Sequence, residues 1–254
     1  MTRLKRSLRV IAAAALLLMM AGSAPAQDPT SFVLIDTFPH DSGAFTQGLD
    51  FMGRKLYEGT GRYGESDLRR VVLETGKVKR KIEKNQKYFG EGVTVFKKRI
   101  YQLTWREHVT FVYALDTWRV VKKLTYEGEG WGLTHNRRHL VMSNGTSEIV
   151  FRNADDFEIK RRIKVMDGDE AVTGLNELEW VKGQILANVW PTDRIVRIDP
   201  STGDVTGSYN MSSLRAMESE DADVTNGIAY MSGSDRLFVT GKHWAHVYEV
   251  VLRD

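Results

Sequence analysis

The amino-acid sequence predicts an all-β protein, a five-bladed β-propeller with four-stranded antiparallel blades. Three observations predict this fold. A strand pattern with a glycine between a variable and an aliphatic residue recurs five times, with one substitution. A second apolar pattern follows each copy at a nearly constant distance, and each unit continues as strand, turn and strand. Repeats of 40–50 residues that carry four strands each are typical of propeller blades.

The first pattern marks the beginning of each unit. Its copies are TQGLDF (46–51), GEGVTV (90–95), GWGLTH (130–135), LNELEW (175–180) and TNGIAY (225–230). Glu177 replaces the glycine in the fourth copy. The second residues of successive copies are 44, 40, 45 and 50 residues apart. We expect these segments to be the innermost strands, which line the axis of a propeller.

The second pattern ends 13 residues after the glycine position of the first in four units, and 15 residues after it in the last. Its final residues are Gly61, Trp105, Gly145, Trp190 and Lys242. A β-sandwich is the alternative all-β fold, but it does not account for this offset. The offset therefore favours neighbouring strands of one blade.

The two remaining strands of each unit alternate apolar and polar residues around turn residues. RRVVLETGKVKRKI and DRIVRIDPSTGDVTGSY are examples. The fifth unit is one strand short, since the sequence ends after AHVYEVVLRD. The segment SFVLIDTF, residues 31–38, precedes the first unit and has no other partner. We predict that it forms the outer strand of the fifth blade and closes the ring.

The first 26 residues have the three parts of a secretory signal peptide. A basic head precedes the apolar run 10–20, and Ala24-Pro25-Ala26 is a small-residue cleavage site. An uncleaved membrane anchor is the alternative, but the run is shorter than the roughly 20 residues that a spanning helix needs. We predict a signal peptide at 1–26, a single propeller domain at 27–254, and a periplasmic or secreted protein.

Composition excludes several classes of function. The formal net charge is +3, and because the basic head carries four positive charges, the mature chain is at −1. We therefore expect neither a nucleic-acid nor a membrane partner. The absence of cysteine excludes thiolate catalysis and cysteine-based zinc sites. The six histidines lack a metal-ligand spacing, so we predict no metal and no cofactor. We expect a monomer.

The repeat predicts which side chains meet at one end of the axis. The residues before the glycine position are Gln47, Glu91, Trp131, Asn176 and Asn226. The ends of the second strands add Trp105, Trp190 and Lys242. A ligand pocket needs an apolar lining and a few placed polar groups, which this set supplies. The alternative is that the amides only satisfy hydrogen bonds around a water-filled axis.

Glu91 is the only ionisable residue at the five equivalent positions before the glycine. Surrounding indoles would raise the pKa of its carboxyl group, whereas a nearby Lys242 would lower it. The sequence does not decide which effect is larger. A glutamate with a raised pKa can act first as a general base and then as a general acid.

Seven segments carry a family resemblance: FTQGLDF, FGEGVTVF, YQLTW, EGWGLTH, LNELEW, ANVWPTDRIVRIDPSTGDV and NGIAY. Together they resemble the plant-type glutaminyl cyclases, also called glutamine cyclotransferases, from about Ser31 to Val251. The resemblance implies conversion of the N-terminal glutamine of peptides into pyroglutamate with release of ammonia. It implies that Glu91 is the catalytic acid/base. It also implies pocket residues at Phe45, Gln47, Trp105, Trp131, Asn176, Trp190 and Lys242.

The residue types fit that reaction. The substrate amine attacks its own side-chain amide carbon, and one glutamate between the two nitrogens can accept and return the proton. Candidate donors to the oxyanion are Gln47, Asn176, Lys242 and an indole N–H. Cleavage after Ala26 would expose Gln27, so we predict a pyroglutamate N-terminus.

Two alternatives stay open. One is a non-catalytic propeller that binds a peptide or a glycan in the same pocket. The other is a metal-dependent propeller of the lactonase type, which needs several carboxylates on the axis. Glu91 is the only carboxylate at the five equivalent positions, which weakens the second alternative.

Overall fold

Residues 32–253, which the computed structural model describes, form five four-stranded antiparallel sheets and one two-stranded hairpin. The predicted all-β propeller with five blades is confirmed. The predicted signal peptide and Gln27 lie outside the described residues. Within the described range, no helix is long and apolar enough to cross a membrane.

The strands follow one another blade by blade. Strand β1 spans Phe32–Pro39. Blade 1 contains β2 (Thr46–Met52), β3 (Lys55–Thr60), β4 (Asp67–Val72), the 3-10 turn Leu73–Thr75 and β5 (Lys77–Glu83). Blade 2 contains β6 (Gly90–Phe96), β7 (Arg99–Thr104), β8 (Val109–Ala114) and β9 (Val120–Thr125). Blade 3 contains β10 (Leu133–His135), β11 (Leu140–Ser143), β12 (Glu148–Arg152) and β13 (Ile159–Lys164).

The second half of the chain continues in the same way. The hairpin consists of β14 (Met166–Asp167) and β15 (Glu170–Ala171). Blade 4 contains β16 (Leu175–Val181), β17 (Gln184–Val189), β18 (Arg194–Ile198) and β19 (Val205–Asn210), and helix α1 (Ser212–Arg215) follows. Blade 5 contains β20 (Thr225–Met231), β21 (Arg236–Gly241), β22 (His246–Leu252) and β1.

The core lies between the blades. Five hydrophobic clusters occur among the described residues, and each joins two neighbouring blades. The inner strands are therefore covered on both faces, and all seven residues of β6 are buried. The outer strand β5 has only one covered face, so its residues alternate between exposed and partly buried. This difference explains why the sequence alternates most clearly in the outer strands.

The ring is closed by the two ends of the described chain. Strand β1 pairs antiparallel with β22, from Phe32 opposite Leu252 to Pro39 opposite His246. The backbone N–H of His40 extends the ladder by donating to the carbonyl oxygen of Ala245, at 2.7 Å. The predicted closure by the N-terminal strand is confirmed.

The inner strands carry β-bulges where the sequence places its candidate site residues. The register of four inner strands skips at Gln47, Glu91–Gly92, Asn176–Glu177 and Asn226–Gly227. A bulge interrupts the alternation of side chains and redirects the extra residue. The bulges therefore let these residues depart from the two-residue alternation of the sheet.

Three buried carboxyl groups tie the inner strands together below the bulges. Glu177 accepts hydrogen bonds from the backbone N–H groups of Ile228 (2.8 Å) and Leu49 (3.3 Å). Asp50 accepts one from Val95 N–H, at 2.6 Å, and Glu179 accepts one from Tyr230 N–H, at 3.0 Å. Each bond crosses from one blade to another, so these groups link strands that share no ladder.

Folding stability is expected to decrease with rising pH because of these groups. Burial raises the pKa of Asp50, Glu177 and Glu179 in the folded state. The folded protein then binds more protons than the unfolded chain above the ordinary carboxyl range, so the free energy of unfolding falls as pH rises. Each unit of raised pKa costs about 1.4 kcal/mol once the group ionises. Urea unfolding midpoints between pH 5 and 9 measure this slope.

Glu177→Gln isolates one contribution to that slope. The glutamine amide has one acceptor oxygen for two backbone donors, so the variant should be less stable at pH 5. It has no carboxyl group to ionise, so its stability should depend less on pH. A slope equal to that of the unsubstituted protein would contradict the assignment.

Candidate active site

A pocket of about 480 Å³ opens at the end of the axis where the inner strands begin. Its lining consists of Phe45, Gln47, Phe89, Glu91, Trp105, Arg106, Glu129, Trp131, Asn176, Trp190, Asp223 and Lys242. Eight of the nine residues singled out from the sequence belong to this lining. The volume is in the usual range for a site that encloses a small ligand.

A recurrent backbone hydrogen bond sets the height of these residues. The residue after the second strand donates its N–H to a carbonyl oxygen before the inner strand of the same blade. These bonds are Gly61 to Phe45 (2.8 Å), Trp105 to Phe89 (3.0 Å), Trp190 to Gly174 (2.8 Å) and Lys242 to Val224 (3.1 Å). The constant offset in the sequence thus reflects a constant hairpin length, which brings both strand ends to the pocket.

Glu91 lies at the bottom of the pocket and is only 3 % exposed. Its Oε1 accepts a hydrogen bond from Nε2 of Gln47, at 2.9 Å. Its Oε2 is buried and has no hydrogen-bond partner within residues 32–253. Burial raises the pKa of Glu91 well above its usual range, and the opposing effects of the Lys242 charge and the Gln47 hydrogen bond are smaller. The competition that the sequence left open is therefore decided by desolvation.

Asn226 lies behind Gln47 and outside the pocket lining, contrary to the expectation that it contacts substrate. It is 1 % exposed. Its Nδ2 donates to the carbonyl oxygen of Thr46 and to Oε1 of Gln47, both at 2.9 Å. The repeat places its backbone correctly, but the side chain turns toward its neighbour in blade 1.

Two indoles of the pocket wall are held by Glu129, which the sequence reasoning missed. Oε2 of Glu129 accepts hydrogen bonds from Nε1 of Trp105 (2.7 Å) and of Trp131 (2.9 Å). Arg106 Nε donates to Oε1 of the same carboxylate, at 2.9 Å. Although burial raises it, these three hydrogen bonds keep the pKa of Glu129 below its usual range. Because both indole N–H groups are engaged, neither is available as an oxyanion donor.

The third indole has a different environment. Trp190 is 45 % exposed and stands edge-on to Trp131, with the ring centroids 5.8 Å apart and an interplanar angle of 81°. Phe89, also missed from the sequence, lies 5.4 Å from the ring of Trp105 and 6.2 Å from that of Phe45. The pocket therefore has a fixed aromatic wall and one exposed indole.

Gly61 and Gly145 make room for aromatic side chains rather than for empty space, which the sequence had suggested. A Cβ at Gly61 would lie 2.5 Å from Cε1 of Phe89, and one at Gly145 would lie 2.6 Å from Cζ2 of Trp131. Gly145 also has a φ of 78°, a conformation that a side chain disfavours. Larger residues at either position would displace the wall.

Lys242 supplies the positive charge of the pocket. Its ammonium group lies 4.8 Å from the ring centroid of Phe45, and the side chain is nearly buried. Burial lowers the pKa of Lys242, while the carboxyl groups of Glu91 and Asp223 raise it. Glu91 and Lys242 thus influence each other's protonation across one desolvated pocket.

The axial carboxyl groups bear on the lactonase alternative. The carboxyl groups of Asp50, Glu177 and Glu179 receive backbone or hydroxyl hydrogen bonds from adjacent strands. Among residues 32–253, no group of three or more histidine, aspartate or glutamate side chains is arranged to hold a metal ion. These axial carboxyl groups are bonded as links between blades.

The fold and the pocket define a class of protein, a five-bladed propeller with a buried acid/base carboxyl group at the end of its axis. The sequence profile of the glutamine cyclotransferase family matches residues 9–252. The chain belongs to the glutamine cyclotransferase family. It is 38 % identical over 226 residues to the glutaminyl-peptide cyclotransferase of Arabidopsis thaliana, an alignment that covers 87 % of this chain and 71 % of that protein.

Solved structures agree with this placement. The glutaminyl cyclase of Myxococcus xanthus superposes with a TM-score of 0.81 at 34 % sequence identity, over 88 % of this chain and 97 % of that one. The WD40 propeller domain of Doa1 superposes with a TM-score of 0.54 at 9 % identity, over 89 % and 98 % of the two chains. The second likeness concerns the fold alone.

Proposed function

We propose that this protein is a glutaminyl-peptide cyclotransferase, which converts the N-terminal glutamine of peptides and proteins into pyroglutamate and releases ammonia, with Glu91 as general acid and base. The observation that carries the proposal is the state of Glu91 in the pocket. One of its oxygens is held by Gln47, and the other is buried without a partner among the described residues. Family membership supports the same reaction.

The reaction is a displacement at the side-chain amide carbon of the substrate. The α-amino nitrogen attacks that carbon, a new C–N bond forms, and Glu91 accepts the proton that the nitrogen loses. Glu91 then returns this proton to the amide nitrogen, the old C–N bond breaks, and ammonia leaves. The carboxyl group ends in its starting state. A raised pKa suits both steps, because the group is a better base than an ordinary carboxylate and remains an effective acid.

The walls of the pocket supply positioning. The reaction is intramolecular, so holding the glutamine side chain curled toward its own amine supplies much of the rate enhancement. Trp105 and Trp131 are fixed by Glu129 and suit the aliphatic part of that side chain. Lys242 and Asn176 remain the candidates for stabilising the oxyanion, because both line the pocket.

The direct test follows ammonia. Incubation with a peptide that begins with glutamine should yield a product lighter by one ammonia, measured by mass spectrometry. A matched peptide that begins with asparagine is a control for nonspecific deamidation. Binding of the glutamine peptide without mass loss would contradict the proposal and favour a binding propeller.

Replacement of Lys242 by methionine should move the pH profile. The charge of Lys242 lowers the pKa of Glu91, so its removal should shift the acidic limb of kcat/KM to higher pH. Loss of an oxyanion donor should also reduce kcat about 100-fold or more. Lys182→Met is the matched control, because Lys182 is exposed and pairs with Asp235 away from the pocket. An acidic limb that does not move would contradict the coupling.

Export is part of the proposal. The signal-peptide pattern supports a periplasmic or secreted enzyme whose mature chain begins at Gln27. Fractionation of the native cells, followed by mass spectrometry of the N-terminal peptide, measures both location and cyclisation. An uncyclised Gln27 on exported protein would contradict the second part.

A further inference from the structure

We propose that Asn226 is a positioning residue that acts through Gln47 to fix which oxygen atom of Glu91 takes part in proton transfer. The inference rests on the proposed function and deepens it. Its basis is a chain of hydrogen bonds that runs from a backbone carbonyl group through two buried amides to the carboxyl group. Each bond in the chain leaves only one orientation for the next amide.

The chain begins at a group whose role is unambiguous. The carbonyl oxygen of Thr46 is an acceptor and has no hydrogen to donate. The side-chain atom of Asn226 that lies 2.9 Å from it must therefore be the amide nitrogen, Nδ2. That nitrogen carries a second hydrogen, which is directed to Gln47 at 2.9 Å. Gln47 must present its oxygen to Asn226.

The orientation of Gln47 then determines its contact with Glu91. With Oε1 directed to Asn226, Nε2 faces the carboxyl group and donates to Oε1 of Glu91, at 2.9 Å. A flipped Gln47 would place its NH2 against that of Asn226 and its oxygen against the carboxylate. All three side chains are at most 5 % exposed, so water has little access to compensate for such a mismatch.

The result is an asymmetric carboxyl group. Oε1 of Glu91 is occupied by an amide donor that stabilises the ionised form. Oε2 is buried and has no partner within the described part of the chain. The proton taken from the substrate nitrogen is therefore carried by Oε2. Asn226 contributes without touching the substrate, because it holds the amide that makes the two oxygens unequal.

Other groups near Glu91 keep their places when Asn226 is changed. The titratable groups that act electrostatically on Glu91, or on which Glu91 acts, are Lys242, Glu129, Glu107, Tyr63 and Tyr126. None of these side chains hydrogen-bonds to Asn226 among the bonds of residues 32–253. A change in the titration of Glu91 in an Asn226 variant is thus attributable to the amide chain or to a charge introduced at position 226.

Asn226→Asp tests the proposal. An ionised aspartate offers only acceptors, so Gln47 should turn its NH2 toward position 226 and its oxygen toward Glu91. The carboxylate of Glu91 then loses its donor, and the acidic limb of kcat/KM should move up by about one pH unit. Asn226→Ala adds no charge and should lower kcat/KM about tenfold.

Two controls separate the amide chain from a simple charge effect. Asn188→Asp introduces a carboxylate at another buried asparagine, whose oxygen accepts the N–H of Gly227 and does not contact Gln47. In a Gln47→Ala background, Asn226→Asp should shift the profile no further than Asn188→Asp does. Coinciding profiles for Asn226→Asp and Asn188→Asp, or a full shift without Gln47, would overturn the proposal.

A readout independent of turnover keeps the two proposals distinguishable. The side-chain carboxyl carbon of Glu91 can be titrated by ¹³C NMR in the unsubstituted protein and in Asn226→Asp. An upward shift of that titration supports the amide chain even if no ammonia is released, in which case the proposed function alone fails. Ammonia release by the unsubstituted protein together with an unmoved Glu91 titration refutes the amide chain alone.

Discussion

Glu91→Gln should reduce kcat for ammonia release by about 10²–10⁴-fold, the usual contribution of a general acid or base. The amide is nearly isosteric and keeps a contact with Gln47, but it can neither take a proton from the substrate amine nor return one to the leaving nitrogen. Binding of the substrate should change less than turnover, because the indole wall and Lys242 remain. Single-turnover rates and peptide affinity, measured separately, distinguish the two effects.

The same substitution should not destabilise the fold. Burial disfavours the ionised form of Glu91 in the folded protein, so an uncharged glutamine removes that cost above neutral pH. The urea midpoint at pH 8 should equal or exceed that of the unsubstituted protein. Glu127→Gln, on the exposed loop before the third inner strand, is the matched control. Near-normal turnover by Glu91→Gln would refute the assigned mechanism.

Glu129→Ala is expected to release both indoles and to lower kcat/KM about 10–100-fold, mainly by raising KM. Hydrogen bonds to a charged group contribute about 1.5–3 kcal/mol each, and the carboxylate receives one from Trp105 and one from Trp131. Without them the two rings are less constrained, so the substrate must order them on binding. Tryptophan fluorescence anisotropy and Michaelis constants for a glutamine peptide report the two consequences.

The pH profile gives Glu129 a second signature. Its negative charge raises the pKa of Glu91, so its removal should move the acidic limb of kcat/KM to lower pH. Glu129→Gln keeps one acceptor and should give an intermediate KM with the same shift of the limb. Glu127→Ala should change neither quantity. A normal KM in Glu129→Ala would show that the wall does not depend on this carboxylate.

The architecture could be predicted from the sequence because it is repetitive. Five copies of one strand pattern with a constant offset define a hairpin of constant length, and hydrogen bonds such as Trp105 N–H to the Phe89 carbonyl oxygen are the reason for that constancy. Equivalent positions in a repeat have equivalent backbone positions. The ring order, the closure by residues 32–39 and the location of the pocket all follow from that rule.

Side-chain direction could not be predicted in the same way. Asn226 and Gln47 occupy equivalent bulged positions, yet one lies in the pocket lining and the other lies behind it. Glu129 and Phe89 stand outside the repeated strand segments, so the pattern gave no reason to select them. A pair of tryptophans near one acidic residue, as in EGWG, is the signal that would have indicated Glu129, because a buried indole N–H needs an acceptor.

The pairing of β1 with β22 also has a consequence for how the molecule is made. Its partners, such as Phe32 and Leu252, are neighbours in space but the most distant described residues along the chain. The last blade is completed only when both ends are present, so its final contact carries the largest loop-closure entropy of the fold. A circular permutant, joined from residue 252 to residue 32 and opened in the exposed loop at 41–43, would make blade 5 continuous. Such a chain would acquire its last strand locally and would have a lower contact order than the natural one.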